Sequence, residues 1–220
     1  MGGGTGAGGQ SSSGSFNGGT AVGSNSINSN STNTTSNLIS ETEMPYEDKL
    51  DWILNNVGVS REEAANIVNS MEYYSSTGYQ TMHWDENAQS PHTQNILKVF
   101  DSNAPRYSGV TYRGLSFNSK EELYGVLKQS ENGWNEPGLT SFSTDPQIAD
   151  GFASQGKYGL VLTSRNGHSG IPFSHMSHLS YEHEVLYPGS LRGNSWQMDL
   201  GSAFFDKDKK ILYIDIIERS

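Results

Sequence analysis

Apolar residues recur every three or four positions in the first half of the charged part of the chain, and this spacing is typical of helices. One helix is predicted over 46–57, where the repeating positions are Leu50, Ile53, Leu54 and Val57. A second is predicted after Ser60, because Glu63 three residues later completes a capping box. The segment YYSSTGYQTMHW predicts a helix end, a turn at Gly78 and a short helix, and a further helix is predicted over 91–101.

The period of the apolar pattern changes from helical to alternating after Pro105. Strands are predicted over 110–117, 138–144, 158–164, 181–187, 196–205 and 211–217, with a hairpin turn in FDKDKKI between the last two. Ser119 and Asp145 are capping residues, so short helices are predicted after each of them. Helices that come first and mostly antiparallel strands that follow predict an α+β fold, with the N-terminal helices packed on the sheet.

The first 40 residues differ in composition from the rest of the chain. They contain no Asp, Glu, Lys or Arg and consist mainly of Gly, Ser, Asn and Thr. Such a segment buries too little apolar surface to offset its ordering entropy, so residues 1–42 are predicted to be a disordered Gly/Ser/Asn-rich linker or tail. Residues 43–220 are long enough for one domain with its own core. A linker at this place is typical of a domain boundary, so the chain is expected to be a piece of a longer protein.

Charge and cysteine content bear on the function class. The 220 residues have a formal net charge of −10 and no basic cluster, so a nucleic-acid partner is not expected. Because cysteine is absent, neither a disulfide nor a thiolate metal site can hold the fold. No apolar run approaches the ~18 residues of a membrane span, so no membrane partner is expected. We expect a monomer.

Two glutamates stand one residue apart in the predicted strand YEHEVLY. Because successive strand side chains point to opposite faces, Glu182 and Glu184 are predicted to share one face, with Cβ atoms roughly 6.5–7 Å apart. For an isolated Glu-x-Glu pair, a solvated outer face of a sheet is the more common explanation. Two other stretches of this chain favour a chemical role instead.

Arg113 lies in the middle of the apolar strand TYRGL, where a guanidinium requires an anionic partner. Its planar fork suits a phosphate, and Gly114 beside it would let a ligand approach the backbone closely. Ser141 and Ser143 alternate onto one face of the next predicted strand, and their hydroxyls can both donate and accept hydrogen bonds. Each of these features alone has a common structural explanation. A strand arginine, then a Ser-x-Ser strand, then a Glu-x-Glu pair is a much more specific signal than any one of them.

In this order, the motifs resemble those of the mono-ADP-ribosyltransferases of the arginine–serine–glutamate class, which includes cholera-toxin-like enzymes and ecto-transferases. TYRGL is similar to the arginine motif, SFS with DPQIADGFA to the serine motif and its helix, and EHEVLYPGS to the glutamate strand. SMEYYSSTGYQTMH and ILYIDI also fit, so the resemblance covers about 46–220. One departure is Phe142, which replaces the threonine of the serine motif and is predicted to point away from Ser141 and Ser143.

The resemblance implies a split β-sheet core of the ADP-ribosyltransferase type, NAD as the co-substrate and no metal. Glu184 would be the catalytic residue and would stabilise the positive charge that develops on the ribose as nicotinamide departs. Arg113 would hold the NAD diphosphate or the nearby ribose. Ser141 would orient Glu184 and the nicotinamide ribose. The backbone of Gly114 would bind the carboxamide, and Ser143 is placed with the NAD-binding residues.

Glu182 would face the acceptor. In the family, a glutamate at this position accompanies arginine acceptors, since a carboxylate can pair with a guanidinium and take its proton. The implied partner is a protein with an exposed arginine. Arg165 could reach a phosphate and Phe173 could stack on nicotinamide, but a surface ion pair and a core position explain these two residues equally well. Secretion as a toxin or delivery by a phage particle is expected, with action in the cytoplasm of a target cell.

Other functions remain open at this point. An NAD glycohydrolase would use the same residues with water as the acceptor, and a catalytically silent binding module tethered by the linker would use none of them. A zinc site is a further alternative, because four histidines lie near the two glutamates: His168, His175, His178 and His183. Solvated loop histidines are favoured over a metal site, because the spacings are not those of a helical ligand pair.

Overall fold

The computed structural model describes residues 42–219, which form six α-helices, one π-helical segment and a seven-stranded sheet. The helices are α1 Tyr46–Val57, α2 Arg61–Tyr73, α3 Tyr79–His83, α4 Pro91–Phe100, α5 Lys120–Gln129 and α6 Pro146–Ala153. The strands are β1 Gly109–Phe117, β2 Thr140–Ser143, β3 Tyr158–Gly167, β4 Ile171–Pro172, β5 Glu184–Tyr187, β6 Ser195–Asp206 and β7 Ile211–Arg219. The predicted α+β fold is confirmed. Of the predicted linker, residues 1–41 lie outside the described residues.

Helix boundaries follow capping signals that the sequence carries. The Ser60 hydroxyl accepts the backbone N–H of Glu63 at 3.2 Å, and the Glu63 carboxylate accepts the N–H of Ser60 at 3.4 Å, which completes the predicted capping box of α2. The Asp145 carboxylate likewise accepts the N–H of Gln147 at 2.8 Å and starts α6. None of the described helices is both long enough and apolar enough to cross a membrane.

The predicted turn at Gly78 is wrong. Residues Tyr74–Gly78 form a π-helical segment that joins α2 to α3, so the helix continues through this point. Gly78 serves packing rather than a turn, because a Cβ there would lie 2.5 Å from the ring of Tyr73. Single-turn π segments are often found at functional sites.

The sheet has the strand order β4-β5-β2-β1-β3-β7-β6, and all neighbouring strands are antiparallel except β3 and β7. β1 pairs with β3 from Gly109 to Phe117, but it pairs with β2 only between Tyr112 and Ser143. The sheet is therefore split into two halves that are joined at one residue pair, as the predicted split core requires.

Three apolar clusters hold the layers together. In the first, α1, α2 and α4 pack on the half of the sheet that contains β4 and β5. In the second, the rings of Phe142, Tyr187 and Trp196 pack with centroids 5.0–5.5 Å apart. In the third, Ala149 and Ala153 of α6 lie against β3 and the start of β7. Because Phe142 turns into the second cluster, the neighbouring side chains of β2 face the other side of the sheet.

Candidate active site

Three strands bring Arg113, Ser141 and Glu184 together where the sheet divides. Arg113 follows the single β1–β2 residue pair, and Glu184 on β5 lies opposite Ser143 on β2. Nη1 of Arg113 donates to the backbone carbonyl of Ser141 at 2.8 Å. The Ser141 hydroxyl donates to Oε1 of Glu184. A guanidinium, a hydroxyl and a carboxyl from β1, β2 and β5 thus form one connected group.

The Glu184 carboxyl is buried, with 5% of the residue exposed. Burial raises the pKa of Glu184 from its ordinary value of 4.5 to about 8; the Ser141 hydroxyl opposes this shift and the charge of Glu182 adds to it. The backbone carbonyl of Glu184 accepts the N–H of Phe173 at 2.9 Å, which fixes the start of β5. Near neutral pH, the protonated form of Glu184 therefore predominates over the ionised form.

Tyr74 connects this group to the N-terminal helices. Its hydroxyl lies 2.7 Å from Oγ of Ser141, and its ring packs edge-on against Phe173 with centroids 5.6 Å apart. Burial raises the pKa of Tyr74, so the hydroxyl keeps its proton. When Glu184 is ionised, the Ser141 proton points to the carboxylate and Tyr74 donates to Ser141. From the sequence, only the tyrosine-rich segment could be identified, and not Tyr74 itself. The direction in which each tyrosine side chain points depends on the π-helical segment.

Glu182 lies before β5 rather than on it, so the prediction that Glu182 and Glu184 alternate along one strand is wrong. Ser180–Glu182 forms a 3-10 turn, and His183 has a φ of 49°, which interrupts the extended backbone between the two glutamates. The Ser143 hydroxyl ties this turn to β2 by donating to the Glu182 carbonyl at 2.7 Å. The two side chains nevertheless interact electrostatically, since the charge of Glu182 raises the pKa of Glu184.

The Glu182 carboxylate is partly buried, and burial raises its pKa. Within residues 42–219 it makes no side-chain hydrogen bond or ion pair, unlike Glu184, which accepts from Ser141. A desolvated carboxylate without a partner favours the approach of a cation. Glu182 is therefore suited to meet a cationic group of a ligand.

Gly114 and Ser143 have structural roles within the protein. A Cβ at Gly114 would lie 1.9 Å from the carbonyl oxygen of Ala149, so this glycine lets α6 pack directly on β1. The Ser143 hydroxyl donates to the Glu182 carbonyl and accepts the N–H of Asp145 at 3.0 Å, so its hydrogen-bonding capacity is used within the protein. A contact between the Gly114 backbone and the carboxamide stays a prediction.

Arg165 and Phe173 each have a role within the protein that does not involve a ligand. Arg165 is on β3, and its Nε pairs at 2.5 Å with Asp215 on the neighbouring strand β7, with 64% of the arginine side chain exposed. Phe173 has no exposed surface and belongs to the N-terminal core. Its ring is covered by that core, and stacking on nicotinamide stays a prediction. The alternative explanations, a surface ion pair and a core position, describe both residues.

Glu136 also contacts the site, although it lies on no helix or strand. Only 4% of the residue is exposed. Its Oε1 lies 2.7 Å from Nε of Arg113, an ion pair in which the N–H is not aligned for a hydrogen bond, and the indole N–H of Trp134 donates to the same oxygen at 2.9 Å. A lone acid in the loop segment WNEPG follows no periodic pattern, so nothing in the sequence separates Glu136 from a solvated loop residue.

The histidines of the 168–183 region do not gather around the glutamates. His168 contacts Glu218 at 3.4 Å and His178 contacts Glu43 at 2.9 Å. His175 is buried, so its predicted position in a solvated loop is wrong, and burial lowers its pKa to about 4.

Within the described residues, one group has ligand atoms close enough to share a metal ion: Glu43, Glu72 and His178. Nζ of the buried Lys49 already lies 2.5 Å from Glu43 and 3.1 Å from Glu72. The lysine therefore supplies the positive charge in this group, and a metal ion would have to displace it.

The candidate site lies below the surface. The Arg113 side chain is 17% exposed. Two hollows on the described surface are not lined by Arg113, Ser141 or Glu184. One of about 470 Å³ is lined by Trp84 and Pro137 among others, and one of about 130 Å³ by Arg106 and Arg192 among others.

Comparisons with known proteins address the fold. No protein-family model matches the chain, and no curated protein matches its sequence. The solved structures that match include three with similar scores. The ADP-ribosyltransferase HopU1 of Pseudomonas syringae pv. tomato DC3000 is 11% identical, with 84% of this chain and 95% of that chain covered and a TM-score of 0.56. The Vibrio splendidus ADP-ribosyltransferase Vis, a toxin whose structure was solved with agmatine, is 20% identical, with 79% and 82% covered and a TM-score of 0.55.

The third match is exoenzyme S from Pseudomonas aeruginosa, in a complex with human 14-3-3 protein beta and bound to carba-NAD. It is 16% identical, with 83% of this chain and 88% of that chain covered and a TM-score of 0.53. At these identities, the likeness establishes architecture. The chain has the ADP-ribosyltransferase fold, with N-terminal helices against a split β core.

Proposed function

We propose that this chain, with its ADP-ribosyltransferase fold, cleaves NAD between nicotinamide and ribose and transfers ADP-ribose to arginine side chains of a protein. One observation carries the proposal: Arg113, Ser141 and Glu184 form a connected group at the split of the sheet. A guanidinium suits a diphosphate, and a buried carboxylate suits a developing sugar cation. NAD offers both of these groups within one molecule.

The bond that breaks joins the pyridinium nitrogen of nicotinamide to the ribose anomeric carbon. Its electron pair leaves with nicotinamide, which becomes neutral, and positive charge develops on the sugar. Ionised Glu184 stabilises that charge more in the transition state than in bound NAD, because the charge is absent from the ribose in the ground state. Ser141 holds the carboxylate in place, with Tyr74 donating to Ser141 from behind.

Glu182 handles the acceptor in this proposal. As a guanidinium nitrogen forms its bond to the anomeric carbon, it loses a proton, and the Glu182 carboxylate accepts that proton. The partly buried, unpaired state of this carboxylate supports the role. The Vis structure contains agmatine, whose guanidinium is the group that arginine carries, and this is consistent with an arginine acceptor.

Secretion or injection into a target cell, as a toxin or effector, is the setting we propose for this activity. The support is the description of Vis as a toxin. Delivery by a phage particle is a second route, and it rests on the sequence resemblance alone.

The test is incubation of the native chain with NAD and agmatine, followed by mass spectrometry of the products, with Glu182→Gln as the matched variant. The native chain is expected to form ADP-ribosyl-agmatine, and Glu182→Gln is expected to lose that product while still releasing nicotinamide. Release of ADP-ribose without any labelled agmatine or labelled protein arginine would indicate an NAD glycohydrolase. No turnover of NAD under any condition would indicate a binding module and refute the proposal.

A further inference from the structure

The backbone around Glu136 is held rigidly from outside the candidate site. The Glu136 carbonyl accepts the N–H of Ser190 at 2.8 Å. Gly189 packs so closely on this segment that a Cβ at that position would lie 2.6 Å from the same carbonyl oxygen. The loop after β5 therefore fixes the point from which the Glu136 side chain extends.

The carboxylate of Glu136 is held as firmly as its backbone. Its side chain is 5% exposed, and Oε1 accepts the indole N–H of Trp134 at 2.9 Å. Trp134 is itself fixed by two backbone hydrogen bonds to Trp196, at 2.6 and 2.9 Å. The oxygen that faces Arg113 thus has one defined position.

His83 does not compete with Arg113 for this carboxylate near neutral pH. Its Nε2 lies 3.6 Å from Oε2 of Glu136, and its Nδ1 lies 3.3 Å from the Leu139 carbonyl. Burial, followed by the charge of Arg113, lowers the pKa of His83, so the imidazole is neutral at pH 7. Arg113 is the cation that balances Glu136.

Two of the three guanidinium nitrogens of Arg113 therefore have fixed partners. Nε lies 2.7 Å from Glu136, and Nη1 donates to the Ser141 carbonyl at 2.8 Å. Nη2 makes no hydrogen bond to any other residue between 42 and 219. Arginine side chains have many rotamers, and restricting them before a ligand arrives reduces the entropy lost on binding.

We propose that Glu136 is the positioning residue for Arg113, and that it holds the guanidinium so that Nη2 is presented to the diphosphate of NAD. The inference rests on the proposed function, in which Arg113 binds that diphosphate. Glu136 does not touch the substrate in this scheme and acts only through Arg113. The charge of Glu136 also weakens the attraction of Arg113 for an anion, so the benefit of orientation has to exceed this loss. When the charge of Glu136 is removed, the loss of orientation should raise KM for NAD, whereas the loss of the competing negative charge should lower it.

The experiment compares native chain, Glu136→Gln and Glu136→Asp in steady-state nicotinamide release from NAD. Glu136→Gln keeps the shape and an acceptor for Trp134 but removes the charge that holds Arg113. We expect KM for NAD to rise about tenfold or more while kcat stays within about threefold. A displacement of the Arg113 guanidinium by about 1 Å is enough for an effect of this size. Glu136→Asp retains the charge and should recover part of the loss.

Nicotinamide provides the control for a general disturbance of the site, because it lacks phosphates. Its product-inhibition constant should be the same for native chain and Glu136→Gln. An unchanged or lowered KM for NAD in Glu136→Gln, or a parallel loss of affinity for nicotinamide, would overturn the inference. If Glu136→Gln does not fold, Trp134→Phe removes the N–H that fixes the carboxylate and must raise KM in the same way; an unchanged KM would refute the role of Glu136.

Failure of the inference and failure of the proposed function are distinguishable in these data. If the native chain releases no nicotinamide, the function itself is wrong. If the native chain is active and Glu136→Gln matches it, only the role of Glu136 is wrong.

Discussion

Glu184→Gln is expected to stabilise the folded protein at alkaline pH while it removes activity. The native site holds a carboxyl with 5% exposure whose pKa burial raises from 4.5 to about 8. A group with a raised pKa in the folded state contributes stability fully below its unfolded pKa, and that contribution is lost as pH rises through the folded pKa. The loss therefore takes place between about pH 4.5 and pH 8. The amide that replaces the carboxyl in this variant cannot ionise and still offers an oxygen to the Ser141 hydroxyl.

The size of this effect follows from the two pKa values. One pKa unit corresponds to ~1.4 kcal/mol, so ionisation of Glu184 costs the native fold about 1 kcal/mol at pH 5 and about 4 kcal/mol at pH 8. Relative to the native chain, Glu184→Gln should thus gain about 3 kcal/mol in free energy of unfolding between these two pH values. Titrating groups other than Glu182, which interacts with Glu184, contribute nearly equally to both proteins and largely cancel in the comparison.

The assay is urea-induced unfolding of both proteins at pH 5 and pH 8, monitored by tryptophan fluorescence. Similar m-values would indicate that the substitution leaves the unfolding transition otherwise unchanged. Equal stability differences at the two pH values, or a Glu184→Gln protein that is less stable at pH 8, would refute the idea that burial of this carboxyl strains the fold.

Two further predictions concern the same part of the sheet. Ser141→Ala removes a hydrogen bond that favours ionised Glu184, so the midpoint of the pH–rate profile for nicotinamide release should move upward by about one unit; an unchanged midpoint would contradict the contact. Gly114→Ala should lower the free energy of unfolding by about 2 kcal/mol or more, because its Cβ would lie 1.9 Å from the Ala149 carbonyl oxygen. The matched control is Gly125→Ala in α5, which has open space around the new Cβ and should stabilise the protein by about 0.5–1 kcal/mol in the same unfolding assay.

Elements with a local cause could be predicted from the sequence. The helix Tyr46–Val57 follows from its apolar spacing, and α2 and α6 begin where their capping residues predict. Long strands such as β7 were likewise predictable, since their apolar residues alternate or run continuously. The π-helical segment was not, because its extra residue depends on how Tyr73 and Gly78 pack in three dimensions.

The order of arginine, serine and glutamate motifs led to the three residues that meet at the split of the sheet. The details around them depend on tertiary contacts that no local pattern encodes. The break between Glu182 and Glu184 comes from a single residue, His183, in the left-handed region of φ. Glu136 is buried by residues from distant or irregular parts of the chain, among them Arg113 and Trp134.

Nicotinamide release from NAD, measured chromatographically for the native chain and for Glu184→Gln at pH 8, tests the central claim most directly. If the group formed by Arg113, Ser141 and Glu184 cleaves NAD, the native chain releases nicotinamide and the folded Glu184→Gln protein loses the activity by about a hundredfold or more. Equal rates for the two folded proteins would contradict the assignment of Glu184, and the absence of release from both would contradict the proposed chemistry as a whole.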